Sequence, residues 1–230
     1  MKEKSIIQIP SDSLEKLISL MPFYKEIKQQ DKWQYDLLLQ HSKVITYQSR
    51  ETVLEEGAQD EWLCFLLKGE LDVLAGEQNQ VVNHITPGEV FGDLALVFKQ
   101  QRSATVAVSR QCREAVVFLT DFSLFGDLTN LRRVSLMTKL VYYRNLLLSL
   151  RWKLEVYRSS HPEHELANQH RKVKLYVGAK DTLEELVSLD SQAKQLGGLL
   201  LKWNVQFGHI ANNSANKDNL NLDELSSISL

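Results

Sequence analysis

The run Phe91-Gly92-Asp93-Leu94-Ala95-Leu96-Val97-Phe98-Lys99-Gln100-Gln101-Arg102-Ser103-Ala104-Thr105-Val106 gathers the residue types that hold a phosphorylated sugar. Gly92 lacks a Cβ and lets the backbone come close to a ligand. A short helical turn after it would point free N–H groups outward, which is an anion cradle. Arg102 falls at the start of the next extended stretch, where its guanidinium fork can form a charge-assisted pair with a phosphate. The Asp93 carboxylate can accept hydrogen bonds from hydroxyls. Acid and arginine together match a sugar phosphate.

These residues need a rigid frame, and the surrounding sequence supplies one. Short β-rich runs cover residues 44–47, 52–54, 62–67, 71–74, 81–85, 103–108 and 115–119, each separated from the next by turn chemistry. The turns are Glu56-Gly57, Lys68-Gly69-Glu70, Ala75-Gly76-Glu77, Thr86-Pro87-Gly88 and Gly92-Asp93. Many short strands at close spacing predict a small antiparallel roll or barrel.

The segment from 91 to 106 resembles the phosphate-binding cassette of the cyclic-nucleotide-binding domain family, which includes the catabolite activators and the regulatory subunits of cyclic-AMP-dependent kinase. The family pattern, Phe-Gly-Glu-Leu-Ala-Leu, a variable stretch, then Arg-(Ala/Ser)-Ala-Thr-Val, is reproduced with the arginine at its usual spacing. Glu55-Glu56-Gly57-Ala58 and Lys68-Gly69-Glu70-Leu71 repeat the family's roll opening. The resemblance covers residues 43–127 and implies an α+β fold: an antiparallel, jelly-roll-like β-roll with N-terminal helices, a long helix after the roll and a C-terminal helical extension. It implies that Arg102 holds the cyclic phosphate, with Leu94, Ala95 and Ser103 around it, Gly92 permitting the approach and position 93 binding the ribose 2′-hydroxyl. The family's glutamate is Asp93 here, shorter by about 1.5 Å of reach. Tyr143, Ser149 and Trp152, on the following helix, are the candidates for capping the base. The ligand expected is cyclic AMP or a close relative, and no further cofactor is implied. Two other outcomes are a ligand-free roll serving as a scaffold or adaptor, and a non-standard transcription regulator.

Helical periodicity flanks the roll. Before it, Leu14, Leu17, Ile18, Met21, Phe23, Tyr24, Ile27, Trp33, Leu37 and Leu38 recur at three- and four-residue steps, with Ser11 and Ser13 as caps and Pro22 at a break. After it, Leu136, Leu140, Tyr143, Leu147, Leu150, Leu154 and Tyr157 form a heptad seam on a helix over residues 131–157. A second seam, Leu186, Leu189, Ala193, Leu196, Leu200 and Trp203, lies on a helix over 182–203 capped by Asp181 or Thr182. The expected organisation is therefore 1–42 N-terminal helices, 43–130 roll, 131–160 long helix, 161–210 C-terminal helical module and 211–230 a disordered tail. An uncovered seam would expose an apolar stripe, so either the second seam folds back on it in cis or the long helices pair across a two-fold axis; a homodimer through the long helix is expected, with the C-terminal helix packing alongside and offering a surface to a protein partner.

Composition narrows the classes. An apolar fraction of 43%, a charged fraction of 24% and a net charge of -2 describe an ordinary globular chain with no overall bias toward nucleic acid or anionic membrane. The span 132–174 holds ten basic residues, Arg132, Arg133, Lys139, Arg144, Arg151, Lys153, Arg158, Arg171, Lys172 and Lys174, read first as a solvated face and second as a surface for nucleic acid or an acidic partner. The helix over 182–203 has only Lys194 and Lys202 as basic side chains and makes a poor recognition helix, so nucleic acid is not expected as a partner. No apolar run reaches signal-peptide or membrane length, and Cys64 and Cys112 lack motif spacing; a cytoplasmic protein with no disulfide is expected. His161, His164 and His170 lack a Cys or paired acid at zinc spacing, so no metal site is expected. No nucleophile with a base occurs, and the chain is not expected to be an enzyme.

Overall fold

The structure is a computed structural model that describes residues 2–5, 16, 18, 21–75 and 80–207. The Ser11 and Ser13 caps, the turn at Ala75-Gly76-Glu77 and the tail over 211–230 lie outside the described residues.

Nine strands build the roll: β1 Lys2–Ser5, β2 Ser42–Gln48, β3 Thr52–Leu54, β4 Trp62–Lys68, β5 Leu71–Ala75, β6 Gln80–Ile85, β7 Val90–Phe91, β8 Thr105–Val108 and β9 Glu114–Asp121. They form two antiparallel sheets, ordered β1-β2-β9-β4-β7 and β3-β8-β5-β6. Two of these strands, β1 and β7, were not foreseen, since neither carries the alternating apolar pattern that marks a strand in sequence.

Strands β4 and β9 of the larger sheet are buried on both faces, which explains why β4 reads Leu-Cys-Phe-Leu-Leu without a polar break. Successive side chains point to opposite faces. Cys64 and Leu66 of β4, with Ala115, Val117 and Leu119 of β9, join the core inside the roll. Leu63, Phe65 and Leu67, with Val116 and Phe118, join a second core shared with the helices.

Helix α1 (Pro22–Gln30) begins on a proline, whose fixed φ suits the first helical turn, and α2 (Lys32–Gln40) is capped by the Asp31 side chain on the Gln34 amide. Tyr24 of α1 is fully buried and reaches across the sheet to the hydroxyls of Ser42 at 3.0 Å and Thr120 at 2.5 Å. Burial drives its phenol well above the usual range, so it stays neutral.

The chain leaves the roll through a 3₁₀ turn, Phe122–Phe125, enters helix α4 (Leu136–Ser160), passes a second 3₁₀ turn, Gln169–Lys172, and ends in α5 (Leu183–Phe207). A six-residue helix, α3 (Asp93–Phe98), sits within the roll. Helix α4 starts at Leu136, five residues later than its periodicity suggests. Ser135 caps it through the Thr138 amide, and the loop before it is gathered by Lys139. The Lys139 ammonium is buried and donates to the carbonyls of Phe125 and Asp127, both at 2.6 Å, Leu128 at 3.1 Å and Asn130 at 2.9 Å. Burial holds its pKa below the usual lysine value.

Helices α4 and α5 pack on each other along their full heptad seams. Leu140, Leu150 and Leu154 of α4 and Leu186, Ala193, Leu196 and Trp203 of α5 are all fully enclosed. The stripe from which a homodimer was expected is thus covered within the chain. Most of the foreseen basic face is likewise paired internally. Arg144 bonds Asp181 and Glu185, Arg151 reaches the His170 carbonyl, and Arg158 and Arg171 share Glu155.

Candidate functional site: a cavity between roll and helical pair

A cavity of roughly 520 Å³ lies between the smaller sheet, the segment around α3 and the ends of α4 and α5, within the usual size range for small-molecule sites. Its roll wall carries Leu54, Val73, Ile85 and Val106; its charged groups are Glu89, Asp93, Arg102 and Lys153. Trp152, Val156 and Tyr157 of α4, with Leu200, Leu201 and Asn204 of α5, close the open side. Tyr157 donates to the Asn204 side chain at 2.6 Å and stacks on Trp203, so the two helices are tied together beside the cavity.

Gly92 is the N-cap of α3, with φ of +78°, a conformation that favours glycine. A Cβ there would lie 2.8 Å from Arg102 Nη1 and 3.2 Å from the Trp62 carbonyl. No other residue lets the arginine fit so closely. Arg102 itself is buried and fully engaged on one side. Its guanidinium pairs with the Asp60 carboxylate through Nε at 3.3 Å and through Nη2, and donates to the carbonyls of Trp62 and Gly92, both at 2.7 Å. Among the described residues these contacts occupy four of its five N–H groups. The Asp60 carboxyl would be raised by burial, but the Arg102 hydrogen bond, the Trp62 amide and the guanidinium charge leave it below the ordinary range.

Asp60 is a site residue that sequence reasoning missed. The sequence pairs Arg102 with a ligand phosphate; the structure gives it an internal anion as well. Only its place in the Gln59-Asp60-Glu61 loop opening β4 hinted at it. Asp60 also reaches Cys64, whose thiol burial pushes up to about 12, with the Arg102 charge opposing and Asp60 adding to that shift.

Asp93 is the first residue of α3 and is 4% exposed. Its Oδ1 accepts from the Leu94 amide at 3.0 Å, while Oδ2 is buried without a hydrogen-bond partner. Lys153 Nζ stands 3.6 Å from that oxygen and donates to the Val90 carbonyl at 3.4 Å. Leu94, Ala95 and Ser103 also line the cavity, so the six residues Gly92, Asp93, Leu94, Ala95, Arg102 and Ser103 are brought together on it. Of the three capping candidates, Trp152 lines the cavity, and Tyr143 and Ser149 are absent from its wall. Tyr143 turns instead to α5, donating to Asp190 at 2.9 Å. Its position on the heptad seam dictates that direction.

The three foreseen histidines are used structurally. His161 and His164 lie against the Trp203 ring, and His170 is buried with Nε2 2.9 Å from Glu155. Cys64 and Cys112 are free thiols.

The two-sheet roll, the short helix inside it, the buried arginine and acid, and the helical closure thus meet at one cavity. Residues 44–125 match the family described as cyclic nucleotide-binding domain. Over 94 residues it is 29% identical to the cAMP-activated global transcriptional regulator Vfr of Pseudomonas aeruginosa, a match covering 38% of this chain and 44% of Vfr. Among solved structures it is similar to the regulatory domain of Toxoplasma gondii PKA crystallised with cAMP, at 18% identity and a TM-score of 0.44, covering 65% of this chain and 53% of that one. It is also similar to the regulatory subunit of a cAMP-independent protein kinase A from Trypanosoma brucei, at 19% identity and a TM-score of 0.43, covering 53% and 42%. The matches thus span about half or less of each relative. No helix among the described residues is long and apolar enough to cross a membrane.

Proposed function

We propose that this chain is a non-catalytic, cytoplasmic receptor for a cyclic nucleotide, cyclic AMP first, whose occupancy is transmitted to the C-terminal helical pair. The observation that carries this reading is Asp93, a buried carboxylate on the cavity wall with one oxygen left without a hydrogen-bond partner. The Lys153 ammonium balances its charge at 3.6 Å but makes no hydrogen bond to that oxygen, so the carboxylate gains from a donor that does, and a ribose hydroxyl is such a donor. Arg102 offers its remaining N–H and its charge to the cyclic phosphate from the same wall, with Leu94, Ala95 and Ser103 around that group. Trp152, amphipathic and half-exposed at the rim, is the capping residue that suits a purine.

Transmission follows from packing. Helix α3 lies directly on α5, where a Cβ on Gly197 would sit 3.0 Å from Phe98 and 3.2 Å from Leu94. A ligand that binds one placement of α3 more tightly than another biases α5 by that difference. The output partner would then be a protein reading the outer face of the C-terminal pair. A homodimer through α4 has lost its driving surface, because α5 covers the seam.

Isothermal titration of the whole chain with cyclic AMP and cyclic GMP tests the reading. Saturable heat with one of them is expected. The internal Asp60–Arg102 pair favours one second reading, a roll that is stable without ligand and serves as a scaffold. Silence with cyclic mono- and dinucleotides alike would establish that alternative.

A further inference from the structure

Resting on the reading of the cavity as a cyclic-nucleotide site, we infer that Lys153 is a specificity-determining ligand contact that works with Asp93 to select ribose over deoxyribose. The two groups face each other across the cavity wall at 3.6 Å, longer than a hydrogen bond. Their charges pair at that distance, but no hydrogen bond joins them. Asp93 Oδ2 is buried without a hydrogen-bond partner, and the ammonium has one long bond to the Val90 carbonyl at 3.4 Å.

A carboxylate only accepts and an ammonium only donates. A hydroxyl does both. An oxygen seated between Asp93 Oδ2 and Lys153 Nζ would donate to the first and accept from the second, forming two charge-assisted hydrogen bonds. Asp93 alone is a methylene short of the reach that a glutamate would have, and Lys153 of α4 stands beside its unbonded oxygen. The ribose 2′-hydroxyl is the ligand group that fits this pairing, since Asp93 would hold it at that position. Lys153 comes from outside the roll, so the contact also ties the ligand to α4.

The experiment is calorimetric titration of the whole chain with cyclic AMP and with 2′-deoxy cyclic AMP, for wild type, Lys153→Met and Lys153→Gln, with thermal melts to confirm folding. Wild type is expected to prefer the ribose form by about tenfold or more, the scale of one charge-assisted bond. Lys153→Met is expected to lose about tenfold for cyclic AMP and little for the deoxy form, so that the preference collapses; Lys153→Gln, whose amide still donates, is expected to keep part of it. Equal losses for both nucleotides in the Met and Gln variants, or no loss for either, would overturn the role of Lys153 while leaving the cyclic-nucleotide reading in place. Wild type that binds neither nucleotide overturns that reading first and the role of Lys153 with it.

Discussion

Arg102 shows how one side chain serves fold and site together. Its bonds to Asp60, Trp62 and Gly92 tie the loop before β4 to the start of α3, and one of its N–H groups is left unbonded among the described residues on the cavity the proposed ligand would fill. A variant without it loses more than ligand affinity. Arg102→Ala leaves Asp60 facing two freed carbonyls with no cation. Because Asp60 keeps 27% of its side chain exposed, water recovers part of the loss, and the cost is about 2 kcal/mol rather than the ~3–5 of a fully enclosed pair. Urea unfolding in the absence of any nucleotide should register this as a lower midpoint with an unchanged slope. An unaltered midpoint would show that the pair contributes nothing to the fold.

At the scale of elements, two adjacent glycines in α5 separate helix propensity from packing. Gly198 has open space where a Cβ would go, and Gly198→Ala is expected to raise stability by about 0.5–1 kcal/mol through backbone entropy alone. Gly197 is pressed against Phe98 and Leu94. Gly197→Leu should lower the melting temperature by forcing α5 off α3, and a neutral result there would remove α3–α5 contact as a transmission route.

The 3₁₀ turn at Gln169–Lys172 is anchored electrostatically. Glu155 on α4 is held down to about 2 by its hydrogen bond from His170, then by Arg158 and Arg171. A carboxyl depressed in the folded state stabilises it above the unfolded value of 4.5, and this contribution fades as pH falls toward about 2. The stability gap between wild type and Glu155→Gln, measured by thermal melts across pH, is therefore expected to be largest near neutrality and to narrow from pH 4.5 downward. A gap independent of pH would show that the carboxylate charge is not what docks the turn.

For the whole molecule, the pairing of α4 with α5 buries the α4 seam within one chain. Leu147, 7% exposed, lies in this intramolecular core rather than on a free seam. Light scattering at micromolar concentration should give a monomer mass. Leu147→Glu should lower the melting temperature without changing the mass of the folded fraction, since it buries a charge within one chain. A wild-type dimer that this substitution dissociates would reverse the conclusion and return the seam to an interface between copies.

The roll and its cassette were legible in the residues themselves. The strands at 44–47, 62–67 and 115–119 and the turns between them arise from short runs rich in β-formers and from turn chemistry among neighbours, which act over a few residues and leave a local imprint. Gly92 and Arg102 were legible for the same reason, as a short motif. What only the tertiary structure decided was the choice of distant partners. Asp60, forty-two residues from Arg102, supplies its counter-charge; Lys153 comes to Asp93 because α4 crosses the roll there; and Tyr143 turns to Asp190 because α5 lies beside it. A heptad seam states that an apolar stripe must be covered, but the free energy of burial is non-directional and names no occupant. Only the path of the chain between 161 and 182, which brings α5 back along α4, determined that the stripe is covered from within and that the cavity is closed by this chain's own helices.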